Sequence, residues 1–242
     1  FLAAMGRIGG QPAGRTATVG WIAVVSGILV ARLAYVIDNR DAFMSDPPSA
    51  LYIWQGGFDV GPGLVAALVV LALALRARAR WTSLATLSFL SLAWFGFAAT
   101  ALHEEPRLLP RVGSIIDLDG APVALNSRSG PFVVNLWATW CPPCRREMPM
   151  LAETAADNPD IPLLLLNQAE RPEAIRSYVR EQGIDPGLLL SDTDGSLARE
   201  LEIEALPTTL FVDSGGKIVK VHPGEISRAA LLAGVRELKA RN

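Results

Sequence analysis

Two cysteines, Cys141 and Cys144, stand in the stretch WATWCPPCRREMP at 137–149, and the chain has no others. The apolar run Phe132-Val133-Val134-Asn135-Leu136 just ahead of them reads as a buried strand. Pro142 and Pro143 sit where a helix would begin, since the first helical turn tolerates a missing N–H. The sequence thus commits itself here to a strand, a sharp turn and a helix whose N-terminus points at Cys141. Free N–H groups and the helix dipole at that end favour a negative charge. A thiolate is such a charge, so Cys141 is expected to ionise below the ~8.5 of a free thiol, in a range of roughly 3.5–7.5.

Other uses of the pair fit less well. A structural disulfide closing so small a loop removes little chain entropy and would stabilise weakly. A zinc site needs about four ligands, and the chain adds only His103 and His222, neither at finger spacing. Proline-flanked cysteines at a helix start are also a poor way to fill a core with inert thiols. The pattern points to a redox-active Cys141–Cys144 pair with no metal and no cofactor.

Half of the 242 residues are hydrophobic and the mean hydropathy is +0.30, too apolar for an average soluble protein. The hydrophobic residues concentrate before position 103 and most of the charge follows it. That asymmetry implies a membrane region at 1–105, a linker at 106–112 and a soluble domain at 113–242 with a core of its own. The net charge is −2, and no basic stripe with interleaved aromatics occurs, so nucleic acid is not an expected partner.

Three apolar segments, at about 17–37, 60–75 and 81–102, are expected to cross a lipid bilayer. Arg7, Arg15 and the cluster Arg76, Arg78 and Arg80 fall on one side, while the loop 38–59 sets Arg40 against Asp38, Asp41, Asp46 and Asp59. The Arg-rich side is then cytoplasmic. The domain after residue 105 emerges on the other, in the periplasm of a bacterial inner-membrane protein, where disulfide chemistry belongs. Phe1-Leu2-Ala3-Ala4 is expected to be the tail of an upstream helix. The opening does not follow the order of a signal peptide.

The WATWCPPCRREMP stretch resembles the active site of membrane-anchored thioredoxin-fold oxidoreductases of the TlpA/ResA branch. That resemblance implies an α/β thioredoxin fold, a mixed sheet with helices on both faces and an N-terminal hairpin, preceded here by the all-α transmembrane region. The expected elements follow in order: a hairpin within 113–126 around Asp117-Leu118-Asp119-Gly120, the strand 132–136, and a helix from Arg145 to about Ala156. A strand at 161–166 and a helix at 173–182 come next, then an extended piece at 188–190 and a short helix at 196–201. Strands at 208–213 and 217–221 around Ser214-Gly215-Gly216 and a helix at 226–239 close the chain.

The resemblance also assigns roles. Pro207, in ALPTT at 205–209, matches the cis-proline that faces the Cys-x-x-Cys turn, although Ala205 stands where the family usually has Gly. The backbone of Leu206 would then pair with an extended substrate segment, and Trp140 would add to the docking surface. Glu147 is one helical turn beyond Cys144; spacing alone makes it a solvated carboxylate, whereas the resemblance makes it the group that relays protons for the cysteines. Glu170 matches a less specific family position, with loop capping as its other reading. Trp137 is expected in the core. Arg145 and Arg146 either lower the thiolate pKa or are solvated.

A second resemblance lies between Val30 and Ser88. ARLAYV at 31–36, FMSDP at 43–47, WQGGFDVGPGL at 54–64 and RARARWTS at 76–83 look like the middle of prolipoprotein diacylglyceryl transferase. The family's catalytic His is replaced within Gly61-Pro62-Gly63, and its later helices are missing. Arg32 matches a family Arg and is expected to pair with an acidic residue or a lipid headgroup. The segment therefore reads as a transferase scaffold kept as an anchor.

The expected activity is thiol–disulfide exchange, most simply as a disulfide reductase acting on protein substrates, for which the resemblance implies clients such as apocytochromes c or a disulfide isomerase. A DsbD/CcdA-type transmembrane reductase would be its electron donor, since the membrane segments carry no thiols. Three other readings remain: the same domain run as an oxidase, a lipid-modifying transferase with a redox appendage, and a non-catalytic binding module.

Overall fold

The structure, a computed structural model, describes residues 13–45, 47–75, 77–101, 107–113 and 115–241. The expectations for Phe1-Leu2-Ala3-Ala4, Arg7, Asp46, Arg76, Leu102 and Pro106 at the start of the linker lie outside those residues. The chain divides into two units, 1–45 with 56–105 and 46–55 with 106–242.

The first unit is helical: α1 (Ala13–Asp38), α2 (Arg40–Ser45), α3 (Val60–Ala74) and α4 (Ala77–Ala101). Among the described residues Ala17–Asp38 is the one helix long and apolar enough to cross a membrane, while Val60–Ala74 is apolar but has only 15 residues. α1 and α3 meet at backbone distance, because a Cβ on Gly63 would lie 2.7 Å from that of Ala31. Small residues allow such crossings between apolar helices. Arg32 Nη1 donates to the carbonyls of Gly56 (2.6 Å) and Gly57 (2.8 Å), and its guanidinium lies 5.5–5.9 Å from the rings of Phe43, Phe58 and Tyr35. Backbone carbonyls and aromatic faces thus answer part of what a cation in an apolar helix requires.

The second unit is built on a seven-stranded mixed sheet: β1 (Arg107–Leu108), β2 (Ile115–Asp117), β3 (Phe132–Trp137), β4 (Leu163–Gln168), β5 (Leu189–Asp192), β6 (Thr208–Val212) and β7 (Lys217–Pro223). Their spatial order is β1-β7-β6-β3-β4-β5-β2. β3 runs parallel to β4 and antiparallel to β6, so the strand that carries the cysteine motif lies at the centre. Between the strands come α5 (Pro142–Asp157), α6 (Pro172–Gln182) and α7 (Ser196–Glu200), and α8 (Arg228–Arg241) ends the chain. This is the thioredoxin fold.

Both faces of the sheet are covered, which is why β3 and β4 read as mainly apolar runs rather than alternating ones, with Asn135 the one polar residue within β3. Val133, Trp137, Leu165 and Phe211 pack under α5, α6 and α8; Val134, Leu136, Leu166 and Leu210 face the short α7 and the turn at Leu125–Ser127. Gly234 lets α8 press onto β6, since a Cβ there would run into the Phe211 ring.

Two details differ from expectation. The N-terminal hairpin keeps its first arm as β2, which joins the sheet beside β5, but its second arm shrinks to one bridge between Ile116 and Pro122. Proline supplies no ladder N–H. Within the expected linker, Arg107 and Leu108 form an edge strand on β7. Both side chains are exposed, so only backbone pairing defines that strand, and no hydropathy pattern announces it.

Candidate active site

β3 ends at Trp137, and the loop Ala138-Thr139-Trp140 carries the chain over the sheet edge into α5. Cys141 is the N-cap of α5 with extended backbone (φ −87°, ψ 108°), Pro142 opens the first turn, and the Cys144 N–H points at Cys141 Sγ (3.3 Å). The sulfur therefore occupies the place where a helix start offers unpaired donors to an anion. Cys141 and Cys144 are joined by a disulfide. Both are buried, Cys141 at 3% exposure and Cys144 at 0%, so Cys144 is the deeper sulfur by a small margin. Trp140 beside them is 68% exposed, whereas Trp137 is fully buried. The Leu206–Pro207 peptide is cis, Pro207 is buried and Leu206 half-buried.

Glu147 is not solvated. It is 3% exposed, inside the cluster formed by β3, α5 and the chain leading into α8. Its Oε1 accepts from Asn135 Nδ2 (2.8 Å), and its Oε2 accepts from the backbone N–H of Ile226 (2.8 Å). Burial drives the carboxyl up from its ordinary value near 4.5 to about 7; the donors Ile226 and Asn135 pull the other way, Glu225 adds a like charge and Arg146 an opposite one. A carboxyl poised near neutrality can hold or release a proton under working conditions.

Asn135 is the residue the sequence reading passed over. It stands mid-strand on β3, paired with Thr209 on β6, and its Nδ2 also donates to Thr209 Oγ1 (3.0 Å). A lone amide inside Phe-Val-Val-Asn-Leu-Trp was the available signal: a fully buried polar side chain demands a partner, and that partner is Glu147. Glu170 is likewise engaged, taking Thr139 N–H (2.7 Å), Thr139 Oγ1 (2.5 Å) and Asn167 Nδ2 (2.6 Å). It ties the end of β4 to the loop just before Cys141, which makes its capping role a cap on the cysteine turn itself. Arg145 lies over the Tyr178 ring (5.6 Å), and Arg146 binds Glu225.

Known proteins resemble this chain in sequence and in fold. A family profile described as Redoxin matches residues 107–235, and one described as prolipoprotein diacylglyceryl transferase matches residues 6–101. Thiol-disulfide oxidoreductase ResA of Halalkalibacterium halodurans is 31% identical over 159 residues, covering 60% of this chain and 86% of that protein. Sporulation thiol-disulfide oxidoreductase A of Bacillus subtilis is 23% identical over 145 residues, covering 58% of this chain and 87% of the relative. In fold, a proposed thioredoxin of Neisseria meningitidis, solved in solution, superposes with a TM-score of 0.50 at 24% identity, over 57% of this chain and 93% of its own.

Proposed function

This chain belongs to the redoxin family and is a thiol-disulfide oxidoreductase of the ResA and DsbE type; from that premise we propose that it works as a disulfide reductase anchored in the bacterial inner membrane. The reduced pair starts the cycle. Cys141 thiolate attacks a substrate disulfide, forming a mixed disulfide and expelling one substrate thiolate. Cys144 gives up its proton and attacks Cys141 Sγ, which releases the second substrate thiolate and leaves the Cys141–Cys144 disulfide. Two electrons pass to the substrate, and its two sulfurs take up two protons. Glu147 receives the Cys144 proton, while Trp140, Leu206 and Pro207 hold the extended substrate segment beside Cys141.

The observation that carries this reading is a carboxyl buried one helical turn behind the disulfide and bonded to Asn135 and Ile226; burial raises its proton affinity to near neutrality against the pull of those two donors. The membrane segments at 17–37, 60–75 and 81–102 would place the redox domain in the periplasm. A DsbD/CcdA-type reductase would restore the thiols, and clients would include apocytochromes c or a disulfide isomerase.

A Cys144→Ala variant tests the cycle. It is expected to accumulate mixed disulfides on Cys141 that dithiothreitol dissolves and that vanish when Cys141 is also replaced. The reduction potential tests direction: a value near thioredoxin's ~−270 mV supports the reductase, and one near ~−120 mV overturns it in favour of an oxidase.

A further inference from the structure

One short segment, from His222 to Ile226, contacts the cis-proline, the helix of the cysteines and the buried carboxyl. Gly224 N–H donates to the carbonyl of Pro207 (2.8 Å). The Glu225 carboxylate, 12% exposed, accepts from Arg146 Nε (3.0 Å) and Nη2 (2.5 Å) through Oε2, and from Gln55 Nε2 (3.0 Å) through Oε1. Ile226 N–H donates to Glu147. Three consecutive residues therefore reach the cis-proline, the helix of the cysteines and the buried carboxyl in turn. Nothing in thiol–disulfide exchange itself calls for a carboxylate at 225. An acidic group set this deep, close to a second one, raises the free energy of both unless a cation answers it.

We propose that Arg146 and Glu225 are a positioning pair for Glu147: the ion pair fixes the 222–226 segment and supplies the balance of charge under which Glu147 takes the proton of Cys144. This deepens the proton-relay reading of Glu147 and rests on it. Arg146 precedes Glu147 on α5, so its cation is carried beside the carboxyl by the same helix that carries the cysteines. Glu225 precedes Ile226, so its anion is carried beside the backbone donor. Any shift of the segment moves donor and anion together.

Among the groups on the elements packed around Glu147, α5 carries Arg146 next to it and Cys144 one turn earlier. β3 supplies the neutral Asn135, which is itself bonded to Thr209 of β6. The segment after β7 supplies Glu225, with the His222 ring against the Glu225 carbonyl (Nε2 to O, 3.4 Å). α8 carries Arg228, bound by Glu153 of α5. Of the charges, Glu225 favours the protonated carboxyl and Arg146 the ionised one, both secondary to burial.

The test uses the full chain in detergent, reduced, and mixed with dithiobis(2-nitrobenzoate) in a stopped-flow instrument. Cys141 attack releases the first thionitrobenzoate, and Cys144 resolution releases the second. The rate of the second release is followed from pH 5 to 9. Glu225→Gln removes the like charge and frees Arg146, and should move the midpoint down by roughly half a pH unit. Arg146→Met leaves Glu225 unanswered and should move it up by a similar amount. The double variant should return toward the parental midpoint, and Arg146→Lys should restore most of the Arg146→Met shift. A purely structural role would move no midpoint, or would move both single variants the same way, and either result overturns the pair. Glu147→Gln separates the two ideas. If it abolishes the midpoint while the pair variants leave it in place, the positioning pair falls and the relay stands; if it leaves the midpoint unchanged, both fall.

Discussion

Glu147→Gln carries the sharpest prediction, and it concerns stability as well as rate. In the oxidised protein the cysteines do not titrate, so the Glu147 carboxyl can be followed apart from them. Its proton affinity in the fold is near 7, against an ordinary value near 4.5. Between those values the folded state holds a proton that the unfolded chain has lost, so stability falls as pH rises through that window. The gap of about 2.5 units, at roughly 1.4 kcal/mol each, amounts to about 3.5 kcal/mol. Glutamine abolishes this slope. The site can accept it: Asn135 Oδ1 has no hydrogen-bond partner among the described residues. Turning that amide over would let it accept from the new NH2 and from the Thr209 hydroxyl, while the glutamine oxygen keeps Ile226 N–H. Urea unfolding of the oxidised full chain in detergent, read by near-ultraviolet circular dichroism, should therefore give similar stabilities for parent and variant near pH 5. Near pH 8 the variant should be more stable by up to about 3 kcal/mol. His222 and the other titrating groups are common to both proteins and cancel in the difference. Parallel curves from pH 5 to 8 would refute the claim that burial governs this carboxyl.

Three further outcomes follow from the same contacts. Asn135→Leu removes a donor that favours the ionised Glu147, so the midpoint of the second thionitrobenzoate release should rise, with a loss of about 1–3 kcal/mol in urea unfolding at pH 8. Glu170→Ala strips Thr139 of its acceptor and loosens the turn before Cys141; the first release should slow by up to about tenfold, with partial recovery in Glu170→Gln, and equal rates would contradict the tie. Gly234→Ala forces a methyl into the Phe211 ring and should cost about 1–3 kcal/mol in urea unfolding with the redox potential unchanged; an unperturbed unfolding midpoint would show that α8 and β6 have more room than the structure gives them.

The parts of this protein legible in its sequence are those set by local chemistry. Pro142 after an apolar run marks a helix start wherever that run ends up, and a cysteine capping that start is exposed to the helix dipole by bond geometry alone. Residues 226–239 show one apolar face, and 132–136 show none, because a central strand is buried on both sides. The edge strand at Arg107 and Leu108 escaped notice because backbone hydrogen bonds at a sheet margin leave no mark on side-chain pattern. Arg32 carried an ambiguous signal, since a cation in an apolar helix needs partners but does not say which; here the carbonyls of Gly56 and Gly57, some two dozen positions along, are among them.

Sequence alone thus determined that a Cys-x-x-Cys pair would sit between a strand and a helix and that an apolar region would precede the redox domain, while the family resemblance singled out Pro207. Tertiary structure decided that Glu147 lies in the core rather than in water, that Asn135 and Ile226, 12 and 79 positions away, are its donors, and that Arg146 pairs with Glu225. The reason is physical: a helix start is a property of adjacent residues, whereas the proton affinity of a carboxyl depends on how much water is removed and which dipoles replace it, and those come from strands and loops that meet only when the sheet closes.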